Sequence, residues 1–133
     1  MAILHHTLGR DDFNFLHGHW HVAHRRLQDR LSGSIAWDDF DGVARCAPIL
    51  GGQGNCDDNL INLPDGAYRA ASLRSFDPPS GEWAIWWLDA RNAHSLDVPM
   101  KGSFIGSKGL FVADDMFNGR PIKIRFLWSK DNP

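Results

Sequence analysis

Four histidines fall within one short stretch, at positions 17, 19, 21 and 24 of Phe15-Leu16-His17-Gly18-His19-Trp20-His21-Val22-Ala23-His24-Arg25-Arg26-Leu27. Imidazole is both a common metal ligand and the side chain that moves protons near neutral pH. The stretch alternates as a β-strand does, and in a strand residues two apart share a face. His17, His19 and His21 therefore project in parallel, about 7 Å apart, too far to converge on one ion at about 2 Å. No cysteine or glutamate cluster completes a ligand set, so the three read as solvent-facing strand histidines and no metal site is expected. His24 falls on the other face, with Gly18, Trp20 and Val22. If that face points inward, its imidazole hydrogen-bonds a ligand, acts as an acid or base, or is a core histidine bonded to a neighbouring strand. The residues leave these open.

Arg74 and Arg125 each interrupt an otherwise apolar run. A guanidinium in such a place either grips a ligand carboxylate through two hydrogen bonds or is neutralised internally. For Arg74 the internal partners on offer are Asp57, Asp58 and Asp89. Asn55 follows the glycine-rich Gly51-Gly52-Gln53-Gly54, which lacks the Lys-Ser ending of a phosphate loop and has no helix after it, so it reads as a glycine-bulged strand turning Asn55 and Asp57 inward. Trp37 and Trp86 are the aromatic candidates for a ligand-binding wall. The second comes from a strand with Trp83, Ile85 and Trp87 on one face and Ala84, Trp86 and Leu88 on the other. No Gly-x-Ser-x-Gly elbow is present and no cofactor motif, so no cofactor is expected.

The elements that must position these residues are short and extended. After strand one, to about Leu27, Ser32-Gly33 reads as a turn into 34–40, Asp41-Gly42 as a turn into 43–50, and Pro64-Asp65-Gly66 as a turn between 60–63 and 67–76. Asp77-Pro78-Pro79-Ser80-Gly81 leads into 82–89, and 91–100 is a longer connection. A glycine-interrupted strand covers 101–113, and Asn118-Gly119 turns the chain into 121–128. Asp11-Asp12 precedes a short helical turn over 13–16 that would plug one end. No segment holds a helical period for more than a turn or two. The fold expected is an all-β, antiparallel up-and-down barrel in a single domain over 1–133.

At 133 residues the chain is long enough for one core without staples, and Cys46 and Cys56 read as reduced thiols. A net charge of -2 offers no cationic field for phosphate backbones, so nucleic acid is not an expected partner. No signal-peptide pattern and no membrane-length apolar run appears, so a cytoplasmic protein without a membrane partner is the default.

Taken together, Phe15-Leu16-x-Gly18-x-Trp20-x-Val22-x-His24-Arg25-Arg26-Leu27, Gly33-Ser34-x-x-Trp37-x-x-Phe40-x-Gly42, Gly52-x-Gly54-Asn55-x-Asp57, Leu73-Arg74-x-Phe76-Asp77-Pro78, Trp83-x-Ile85-x-Trp87-x-Asp89 and Arg125-Phe126-x-Trp128 resemble the small bacterial lipocalin-like proteins, a branch of the calycin β-barrels with no established reaction. The resemblance spans residues 11 to 128. It implies a barrel closed at one end, Trp20 on its floor, Arg125 packed over that indole, and a cavity for a small, largely apolar or amphipathic molecule. Anchors would come from His24, Asn55, Arg74 and Arg125. A cofactor-free isomerase or cyclase whose acid-base group is His24 or an aspartate, or a filled structural barrel, are the alternatives. Proteins of this kind continue for about two further strands after the Arg-x-x-Trp strand. This departure leads to the expectation of a homodimer that covers the open edge.

Overall fold

The computed structural model describes residues 9–28, 33 and 35–130. Eight antiparallel strands follow one another in a single sheet in chain order, each paired with its neighbours in sequence, and the sheet curls into a half-barrel. They are β1 (Gly18–Leu27), β2 (Trp37–Ile49), β3 (Gly54–Leu63), β4 (Gly66–Asp77), β5 (Glu82–Asp89), β6 (Met100–Ile105), β7 (Lys108–Phe117) and β8 (Arg120–Ser129). Short 3-10 turns occupy Asn14–Leu16, Leu50–Gly52 and Ala90–Asn92. The first and last strands, β1 and β8, are the sheet's edges and do not pair with each other.

Two boundaries differ from the sequence reading, in opposite directions. Asp41-Gly42 is not a turn: both lie inside β2, where Gly42 pairs with Val22 on one side and Ile61 on the other. A Cβ at Gly42 would collide with the Leu60 carbonyl, so the glycine serves close strand approach, not reversal. The single strand expected over 101–113 is instead a hairpin, because Gly106 adopts φ +60° and Ile105 pairs back to Lys108. One merger and one division leave the strand total unchanged. Of the turn read at Ser32-Gly33, Ser32 lies outside the described residues, as does Ser34 of the following segment.

Alternation assigns the concave face to Asn55, Asp57, Asn59 and Ile61 of β3, Ser72, Arg74 and Phe76 of β4, Trp83, Ile85 and Trp87 of β5, and Ile124, Phe126 and Trp128 of β8. One end of this trough is packed solid by Phe13, Phe76, Trp83, Ile85, Met100 and Phe111. Phe13 is its centre, edge-on to Trp83 at 5.1 Å, to Phe104 at 5.0 Å and to Trp128 at 5.2 Å. The segment ahead of β1 is fastened across that end by hydrogen bonds. Trp83 Nε1 donates to the Gly9 carbonyl at 2.9 Å, Asn55 Nδ2 to the Phe13 carbonyl at 3.2 Å, and Arg10 Nη2 to the Gly51 carbonyl at 3.0 Å.

Trp20 is not the buried floor indole that the Gly18-x-Trp20 pattern led us to expect. It lies on the concave parity but remains 40% exposed, its Nε1 donating to the Leu16 carbonyl at 2.6 Å. The physical reason is its strand: β1 is an edge, and nothing pairs beyond it to cover an inward side chain.

Candidate functional site

Beyond the packed end the trough holds a pocket of about 470 Å³. Ile61, Ile85, Trp87, Met100, Ile124 and Trp128 provide apolar walls, and His24, Asp57, Asn59, Ser72, Arg74, Asp97 and Asp115 provide the polar ones. The volume lies in the range of small-molecule sites.

The inner end of the pocket is a polar network built by strand register. Asn55 stands opposite Arg74, and Asp57 opposite Ser72, across the β3–β4 ladder. Arg74 Nη2 donates to Asp57 Oδ2 at 2.6 Å and Nη1 to Asn55 Oδ1 at 3.0 Å. Asp57 Oδ1 accepts two further bonds, from the Ser72 backbone N–H at 2.9 Å and from Asn59 Nδ2 at 2.5 Å. The guanidinium lies 5.5 Å from the Phe13 ring centroid and 5.7 Å from that of Trp128, within cation–π range. Arg74 is thus neutralised internally by Asp57, one of the three partners weighed from sequence. Nε of Arg74 alone among its donors has no acceptor, although it is buried.

At the outer end, His24 stacks face to face on Phe40, centroids 5.1 Å apart and planes 11° from parallel. Burial lowers its pKa below the ordinary imidazole value, against a smaller opposing pull from Asp41, which favours the neutral ring at neutral pH. The 91–100 connection folds back here: Leu96 bridges to Leu88 and the Asp97 N–H donates to the Trp87 carbonyl at 3.1 Å. That fold brings Asp97 and Val98 over the pocket mouth beside Asp115 of β7. Burial, with the neighbouring carboxylates of Asp115 and Asp89, raises the Asp97 pKa.

Of the residues singled out by sequence, His24 and Arg74 line the pocket. Asn55 faces the same interior one layer deeper, fully buried, where it holds Phe13 and Arg74 in place instead of bordering open space. Trp37, Trp86 and Arg125 lie on the convex face, so these three do not wall the pocket. Trp37 is half exposed, with the Arg25 guanidinium 5.1 Å from its ring centroid. Trp86 borders an outer groove with Ser75 and Ala84, and the inward tryptophan of its strand is Trp87. Arg125 is exposed opposite Val112, one residue out of step with inward Ile124 and Phe126. A basic group does pack on the floor aromatics, but it is Arg74 of β4. Asp57 turns inward as the sequence led one to expect, and strand alternation could also have found Asn59 and Ser72, which share that face with Asn55 and Arg74. Asp97 carried no local signal, since its place depends on the fold-back of its connection.

Among the histidines of the other β1 face, His21 Nε2 lies 3.1 Å from Asp41 Oδ2 on the surface. Among the described residues, no three His, Cys, Asp or Glu side chains gather as a metal-binding group. Cys46 and Cys56 are free thiols whose pKa values are raised, chiefly by burial. No helix is long and apolar enough to cross a membrane among the described residues. Compared with family models, with curated proteins and with solved structures, the chain matches none.

Proposed function

We propose that this protein is a lipocalin-like, calycin-type binder that holds a small, largely apolar molecule in the trough of its half-barrel. The observation that carries the reading is the pocket itself: about 470 Å³ of space, walled by Trp87, Trp128 and aliphatic side chains, directly above a core that is otherwise packed solid. A structural barrel would fill this space with side chains. The acid-base alternative receives less support, because His24 is committed to a stack on Phe40 and, among the described residues, no side chain hydrogen-bonds its ring to orient it. Titration with the fluorescent apolar probe N-phenylnaphthylamine should give saturable binding at one site per chain. Replacing the wall residue Ala113 by tryptophan should abolish that binding while the far-ultraviolet circular dichroism is kept. Equal probe binding by the folded Ala113→Trp variant would remove the pocket from consideration.

The unpaired edges support self-association as part of the same proposal. Both β1 and β8 carry backbone donors and acceptors that no neighbouring strand satisfies, and Trp20 of the first is 40% exposed. Sedimentation equilibrium should report a dimer that dissociates when Ala23→Pro removes an outward-facing backbone donor from β1. A monomer at every concentration would end this part of the reading.

A further inference from the structure

The charges of the pocket are unequal, and the inequality specifies the ligand. Three carboxylates line it, those of Asp57, Asp97 and Asp115, against the single guanidinium of Arg74. Arg74 and Asp57 cancel each other at 2.6 Å deep in the wall. Asp97 and Asp115 have no ion-pair partner among the described residues; the one bond to either side chain comes from the Met116 backbone N–H to Asp115 Oδ1. The other charged groups near this end do not offset them. Arg91 is spent on Asp89 at 2.7 Å, Arg26 borders the adjoining groove, and His24 is held toward its neutral form. The pocket mouth is therefore a site of uncompensated negative charge above apolar walls.

An independent feature marks the inner end. Arg74 is only 4% exposed and lines the pocket with a guanidinium already bonded to Asp57 and Asn55. Because Asp57 already neutralises the guanidinium, the inner end offers no free cation to a ligand anion.

We propose that the ligand is an amphipathic amine, with its ammonium between Asp97 and Asp115 at the mouth and an apolar body against Trp87, Ile124 and Trp128. This rests on the pocket being a ligand site, and it replaces the carboxylate ligand that an inward arginine suggested from sequence. Charge complementarity of this kind acts as a selector between ligands of equal shape.

The test uses three probes that share a ten-carbon chain and one terminal hydroxyl and differ only at the other end: aminodecanol, decanediol and hydroxydecanoate. Each is titrated against bound N-phenylnaphthylamine at about pH 7.5, where the amine is cationic and the carboxylate anionic. Aminodecanol should displace the probe at a concentration about tenfold lower than hydroxydecanoate, with decanediol between them. The double variant Asp97→Asn, Asp115→Asn should bring all three within about threefold of each other. A second measurement needs no variant. Lowering the pH through the carboxylate range should erase the advantage of aminodecanol over decanediol, beginning early in the descent because the Asp97 pKa is raised.

Preference for hydroxydecanoate, indifference to the head group, or an amine preference that survives the double substitution would each overturn the proposal while leaving the pocket as a binding site. Failure of all three probes, together with failure of N-phenylnaphthylamine itself, would overturn the binding reading on which it rests.

Discussion

Replacing Arg74 by methionine should destabilise the protein by about 3 to 5 kcal/mol, the scale of stripping one partner from a buried ion pair. The methionine keeps much of the apolar stem, so the loss is chiefly electrostatic. Asp57 would stay in the wall with its Ser72 and Asn59 bonds but without its counter-charge, and Asn55 would lose the donor at 3.0 Å. The contacts of the guanidinium with Phe13 and Trp128 go as well. Urea unfolding should show the midpoint falling at an unchanged slope, the mark of lost stability without altered compactness. A double-mutant cycle isolates the pair. Asp57→Asn combined with Arg74→Met should cost less than the two single changes summed, by about 1 to 3 kcal/mol, because the double variant leaves neither charge stranded. Strict additivity, or a single-variant loss below about 1 kcal/mol, would mean that the pair is solvated and that Arg74 is free to serve a ligand as an anion site.

This outcome also separates what the sequence encodes locally from what it does not. The inward direction of Arg74 and His24 follows from alternation alone, as does the row Asn55, Asp57, Asn59 that faces them across the β3–β4 ladder. Turn chemistry is equally local, and Asn118-Gly119 between β7 and β8 adopts positive φ at both residues, as such a pair does in a two-residue hairpin. Glycine is more ambiguous. Gly42 and Gly106 look alike as letters, but one lets strands approach and the other reverses the chain, and only the tertiary partner, the Leu60 carbonyl in the first case, decides. On β5 both faces are apolar, so alternation could not choose between Trp86 and Trp87. Arg125 illustrates a phase effect: a shift of one residue turns a floor-packing group into a surface one. Whether a strand is central or an edge is not written in its own alternation at all, and this is why Trp20 could be assigned to the right face and still be misjudged in burial.

The floor therefore belongs to a residue outside the strands, and Phe13→Ala should be among the most damaging single truncations of an apolar side chain. Phe13 is completely buried, and its ring makes edge contacts with Trp83, Phe104 and Trp128 and a tilted one with Phe111 at 5.5 Å. Removing it leaves a cavity lined by rigid rings that cannot collapse inward, which places the cost at about 3 to 5 kcal/mol and the drop in melting temperature at about 10 °C or more. The loss should spread, because the Phe13 backbone carbonyl is the acceptor for Asn55 and so ties the plug to the Arg74 network. Phe13→Leu, which keeps most of the volume, should recover more than half of the stability. Trp20→Ala supplies the contrast in the same assay. Its indole is larger, but at 40% exposure it has less apolar surface to lose and a single hydrogen bond to Leu16, so its cost should stay below about 2 kcal/mol. Were Trp20→Ala the more destabilising of the two, the edge strand β1 would have to be covered in solution, either by β8 or by the β1 of a second copy, and the indole would regain the floor position that Phe13 holds here.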